Sequence, residues 1–239
     1  MDGILVAAAV IPAGLLLYRV YRADRLEEEP AGLLLSLLVL GVAATALASF
    51  TEQLGDIVLS WFIPEGTLAH NFIMYVGIVA ISEEGFKYLM MKARTWRSPE
   101  FNCTFDGVIY AVFISLGFAL WENLGYVLSY GFATAVARAL TAVPGHACFG
   151  VYMGVWYGTA KRYEAVGMTR EAAKARRIGF WEAVALHGAY DFIAVLQEEA
   201  LSLVFVAFVA GMFFTSLRLV KKHARADEYI SQEPTDMQP

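Results

Sequence analysis

Seven stretches of this chain, near residues 3–21, 31–51, 68–91, 106–130, 133–160, 178–197 and 200–219, are long apolar runs. Each is close to the roughly 20 residues that a helix needs to cross a hydrocarbon core. Inside a bilayer the backbone must satisfy its own hydrogen bonds, and separate apolar runs of this length do so as helices. Composition agrees: 58% of residues are hydrophobic and 17% charged, with mean hydropathy +0.53, whereas soluble domains carry about 25% charged residues. The expected fold is all-α, a polytopic membrane helix bundle forming one domain over residues 1–225. A polar tail, 226–239, is expected to be disordered. Residues 52–66, "EQLGDIVLSWFIPEG", read as a short interfacial helix or re-entrant turn ended by Pro64. The opening "MDGILVAAAVIPAGLLLYRVYR" has its arginines after the apolar run, which suits a retained span better than a cleaved signal. Cys103 lies in a short loop and Cys148 in an apolar run, so no disulfide is expected.

Assigning the loops alternately to two sides puts 16 of the 18 Lys and Arg on one side. The positive-inside bias makes that side cytoplasmic, with the N-terminus outside and the C-terminus inside. A multi-pass cell-membrane protein is implied. The two exceptions are Lys87, within the third run, and Arg138, which reads as a snorkelling residue at the outer interface. The loop "KRYEAVGMTREAAKARRIG", 161–179, is basic and amphipathic and would touch anionic lipid. No aromatic platform accompanies it, so no nucleic-acid partner is expected.

Glu83, Glu84, Lys87, Glu122, His146, His187 and Asp191 all lie inside apolar runs. A charged residue at a helix centre costs about 3 kcal/mol, so such groups must be paired inside the bundle and mark function by default. Helical spacing puts Glu122 on a face with Gly107, Ala111, Ser115, Ala119 and Gly125. His146 shares a face with Ala139, Ala142, Gly150, Gly154 and Gly158, while His187 and Asp191 follow Gly179 and Ala183. Small residues let helices approach closely, so these polar groups face protein. At 1.5 Å per residue, Glu83 and His187 come out roughly 13 Å from the basic side, His146 roughly 20 Å and Glu122 roughly 25 Å. Pro144 leaves the carbonyl of Leu140 unpaired, so a kink beside His146 is expected.

Lys87 stands three residues after Glu84 and four after Glu83, so a helix-internal ion pair is available. The second carboxylate is then free for chemistry. Glutamate with two histidines and no adjacent Ser or Cys nucleophile suits water activation. In one route Glu83 and His146 act as bases while His187 and Asp191 stabilise an oxyanion. In the other, His146, His187 and a carboxylate such as Glu122 bind Zn²⁺, with Glu83 as the base. The same groups would also serve a proton-coupled transporter or ion pathway, although paired repeats and broken helices are absent.

Four ordered motifs carry a resemblance: "EEGFK" at 83–87, "FDGVIYAVFISLGFALWEN" at 105–123, "PGHACFGVYMG" around His146 and "HGAYDF" at 187–192. Together they resemble the PrsW family of intramembrane proteases, related to the CAAX prenyl protease and bacteriocin-processing superfamily. The resemblance implies hydrolysis of a single-span membrane protein of anti-sigma-factor type. It maps Glu83 and Glu84 onto the family's Glu-Glu pair, with Glu83 as water activator. His146 maps onto the central histidine, and His187 with Asp191 onto the final motif. Ala142 replaces a Phe of the CAAX-type members and Asp191 an Asn, both of which point away from a prenylated substrate.

Overall fold

The computed structural model describes residues 2–196 and 199–230, which form a helical bundle. Its helices are α1 (Asp2–Tyr21), α2 (Ala31–Ser60), α3 (Leu68–Phe72), α4 (Ala80–Thr95), α5 (Asp106–Tyr130), α6 (Phe132–Leu140), α7 (Ala142–Ala165), α8 (Thr169–Val195) and α9 (Glu199–Arg225). A π-helical stretch, Ile73–Val79, joins α3 to α4 without a break. By length and composition, four helices among the described residues are long and apolar enough to cross a membrane: Gly3–Tyr21, Ala31–Ser60, Asp106–Tyr130 and Leu201–Arg225. The other long helical segments, 68–95, α7 and α8, carry the ionisable groups that lower their apolar content.

Burial is arranged as lipid demands. Ile4, Ile11, Leu15, Leu35, Val39, Leu203 and Phe214 point outward, whereas Glu83, Glu84, Lys87, His146 and His187 are buried. The centre of the bundle is α5, every residue of which from Asp106 to Ala119 is buried. It packs on α1, α2 and α7, and α7 in turn packs on α8 and α9.

The small-residue faces of α5 and α7 meet. A Cβ at Gly154 would lie 2.5 Å from the carbonyl oxygen of Gly107 and 2.6 Å from the Cα of Val108. Backbone cannot yield as a flexible side chain would. Gly154→Leu is therefore expected to force the two helices apart and destabilise the protein by about 3 kcal/mol or more. Thermal unfolding in detergent checks this, and an unchanged midpoint would mean that the helices are not this close.

Three expectations about the chain's course differ from the structure. Residues 52–60 do not form a separate interfacial element, because α2 runs on through Gly55, which packs against Ile78, to Ser60, and the chain turns only at Pro64 and Gly66, whose φ is +74°. The span expected at 133–160 is split at Thr141 (φ −125°, ψ −72°) into α6 and α7. Pro144 explains the split: it fits the first turn of a new helix, where no N–H is required, but would clash with a continuing one. The basic loop expected at 161–179 is mostly helix, interrupted by a turn at Gly167 (φ +77°).

Basic residues other than Lys87 and Arg138 gather at one end of the bundle. There Lys161 donates to the carbonyl of Trp96 at 2.8 Å, Arg162 pairs with Glu228 at 2.6 Å and Arg176 lies over the Trp96 ring. Part of the polar tail is anchored at this end. Asp227 accepts from Thr104 and the Phe105 amide, and the Ile230 amide donates to the carbonyl of Asn102. Residues 231–239 of that tail lie outside the described residues.

An acidic group lies under these contacts. Glu29 accepts from the Tyr110 hydroxyl, and Asp106 accepts from the amides of Asn102 and Cys103. Burial pushes the Glu29 carboxyl from its ordinary 4.5 to about 7. Burial, with Asp227 nearby, pushes Asp24 from 3.8 to about 6. A carboxyl whose folded value is raised favours folding below its unfolded value and loses that contribution as pH rises through the folded one. The unfolding midpoint should therefore fall between about pH 4.5 and 7 on account of Glu29, and Glu29→Gln should flatten that decline. An identical pH profile in the variant would remove Glu29 from the explanation.

Candidate active site

The site forms where the segment 68–95, α5, α7 and α8 face one another. The π-helical stretch widens each turn ahead of Ala80, which sets the rotation of the helix that carries Glu83, Glu84 and Lys87. Gly188 of α8 brings its helix against Val76 of the π-helical stretch. His146 is the fifth residue of α7, next to the break that Pro144 imposes.

Lys87 is the hub. Its ammonium lies 3.1 Å from Glu83 Oε2, 2.8 Å from Glu84 Oε1 and 3.1 Å from His146 Nδ1, and 3.9 Å above the Phe118 ring. His187 lies on the other side of the carboxylates. Its Nδ1 is 2.9 Å from Glu84 Oε1, and its Nε2 is 3.2 Å from Asp191 Oδ2 and 3.8 Å from Glu83 Oε2. Phe149 stacks on the His187 ring with centroids 4.7 Å apart, fixing its plane. The two imidazoles are 5.3 Å apart and nearly perpendicular.

Glu83, Glu84, His146 and His187 each offer one donor atom within 4.8 Å of the others. The structure leaves Glu122 out of that group. Its Oε2 lies 2.9 Å from His146 Nε2, the nitrogen turned away from Lys87, and 3.0 Å from Arg138. Glu122 is thus placed to orient the imidazole from behind, as carboxylates do for metal-bound or catalytic histidines. Measured from the observed helix ends, Glu122 agrees with the two histidines, while Glu83 sits on a helix that starts nearer the site. Glu122, His146 and His187 then lie about 24, 28 and 27 Å along their helices from the basic end, and Glu83 about 18 Å.

Two side chains at the site escaped sequence reasoning. Arg138 does not snorkel to an interface: its Nε donates to Asn123 at 3.0 Å, and its guanidinium pairs with Glu122 and covers Tyr126. Asn123 holds the carbonyl of Ala9 in α1, so Arg138 ties the site to the outer helices. Glu52 projects from α2 toward Glu83, Glu122, His187, Lys87 and Asp191, with a buried oxygen that has no hydrogen-bond partner among the described residues. The signal for Glu52 is an acid four residues past Ala48, the last buried position of an apolar helix.

Two carboxylates and two imidazoles are donors that suit Zn²⁺ or a similar ion. Glu84 Oε2 is buried and without a hydrogen-bond partner among the described residues, which leaves it available as a ligand. The donor set fits a metal, provided that the Lys87 ammonium yields part of the space it now fills.

Residues 29–217 match the model of the PrsW family intramembrane metalloprotease. The chain is 32% identical over 222 residues to Protease PrsW of Geobacillus kaustophilus, covering 91% of each protein. It is 31% identical to that of Halalkalibacterium halodurans, covering 91% of this chain and 95% of the relative. For Protease PrsW of Bacillus subtilis the identity is 27%, over 91% of this chain and 94% of the relative. No solved structure matches the chain. A family match over most of the chain, with relatives alike almost end to end, makes this protein a member of the PrsW family of intramembrane metalloproteases, and so a peptidase.

Proposed function

We propose that this protein is an endopeptidase that cuts a membrane-anchored protein, of single-span and anti-sigma-factor type, with water activated by Glu83. The observation that carries this is the meeting of Glu83, His146 and His187 within one buried group of donors. All seven long helical segments cross the bilayer in this reading, with the basic end cytoplasmic in the cell membrane. A cavity of about 340 Å³ lined by Thr45, Ser49, Trp121, Glu122 and Tyr126 opens between α2 and α5 and reaches the site at Glu122, the side from which water and substrate would enter.

Glu83 takes a proton from water as its oxygen attacks the scissile carbonyl carbon. His187, held at Nδ1 by Glu84, shifts its Nε2–H from Asp191 to the oxyanion that forms. As the C–N bond breaks, the proton held by Glu83 passes to the leaving amine. Glu122 and Arg138 keep the His146 ring in place, and Lys87 keeps the two glutamates apart. A Zn²⁺ ion would be held by His146, His187 and Glu84 and would supply an electrophile that acidifies water. Lys87 already brings a positive charge to the same donors, which favours glutamate-dependent hydrolysis without a metal as the second reading.

The test is purified protein in proteoliposomes with a panel of labelled single-span substrates. At least one should yield two fragments whose new termini define a single bond, without any ion gradient. Intact substrates throughout, alongside a proton flux, would favour the transporter reading instead.

A further inference from the structure

Five cationic side chains surround one cleft at the basic end of the bundle. Arg19, Arg22 and Arg25 come from the end of α1 and the turn after it, and Arg218 and Lys221 from the last turns of α9. Phe214, Leu217 and Val220 complete the wall of a space of about 400 Å³. Both helices pack on α7, and the cleft separates their ends. Among the described residues only Arg22 has a carboxylate partner, Glu28 at 3.9 Å, and both of those side chains are largely exposed.

We propose that this cleft binds an anionic phospholipid, with the phosphate held between α1 and α9 and an acyl chain along Phe214 and Leu217. Arg19, Arg25, Arg218 and Lys221 have no carboxylate partner among the described residues, so an anion between them relieves their mutual repulsion. Guanidinium groups match phosphate oxygens two at a time. A free phosphate would satisfy the charged rim and leave the apolar wall unused. Phe214, 63% exposed, lies one turn nearer the middle of α9 than Arg218, where an acyl chain of the same lipid would run. Basic pockets between helices at a membrane surface bind acidic headgroups in this way. The inference goes beyond proteolysis and does not depend on it.

The experiment is native mass spectrometry of the full chain released from phosphatidylcholine nanodiscs containing a minor share of phosphatidylglycerol. The wild type should retain phosphatidylglycerol selectively. Arg19→Gln/Arg218→Gln/Lys221→Gln should lower that retention about tenfold or more. Lys92→Gln/Arg97→Gln/Lys174→Gln, which removes as many charges elsewhere at the same end, should retain it. Equal loss in the two variants, or displacement of the lipid by soluble glycerol phosphate, would overturn the proposal. Should the triple variant fail to insert, Arg218→Gln alone carries the test: about a fivefold fall is expected, and no fall overturns it.

Discussion

Glu83→Gln should reduce cleavage by about 10²–10⁴-fold while leaving the protein folded. The substitution keeps the shape of the side chain and its ability to accept from Lys87, 3.1 Å away, but removes the basic carboxylate. The loss should fall on kcat, with KM little changed, because the group acts on water in the transition state and not on substrate binding. Single-turnover cleavage in proteoliposomes, alongside an unfolding midpoint, separates chemistry from stability. Full activity in the variant would remove Glu83 as the base. A fall in activity matched by a fall in midpoint would instead place it among the structural residues.

Lys87→Met should be the most destabilising single change at the site. It leaves Glu83 and Glu84 buried side by side after losing a partner that touches both. Removing one member of a buried charged group costs about 3–5 kcal/mol, and Lys87 also contacts His146. The expected result is poor accumulation in the membrane and a markedly lower unfolding midpoint. Adding Glu84→Gln should restore part of the loss, because the remaining glutamate then has no like-charged neighbour. A Lys87→Met protein as stable as the wild type would mean that water, not Lys87, neutralises the pair.

The stripes of small residues were the most legible part of the sequence. Gly107 with Gly154 and Gly158, and Gly179 with Met153 and Trp156, sit in contact as helical spacing implied, and they carry Glu122, His146 and His187 inward. Distances along the chain were less legible. Glu52 marks the end of an apolar run in the sequence, but α2 continues through it to Ser60 and puts its carboxylate within electrostatic reach of the Lys87 and His187 cations as well as of Glu122. Pro144 suggested a kink, but whether a proline bends a helix or starts a new one depends on the preceding turn, and Thr141 provides that break. Arg138 looked like an interfacial residue because its partners, Glu122 and Asn123, are brought to it only by folding. For the same reason spacing within one helix identified the Lys87 ion pairs but not the contact with His146, which lies 59 residues away.

Acids and imidazoles from separate helices share one enclosed place in this protein. An experimental structure of the wild type in a lipid nanodisc, bound to a rigid antibody fragment, tests it most directly. The Glu83 carboxylate should lie within hydrogen-bonding or near hydrogen-bonding reach of Lys87 and His187, with the His146 ring beside them and Glu122 behind it. A Glu83 side chain turned toward acyl chains, or the two imidazoles lying on opposite sides of α5, would contradict it.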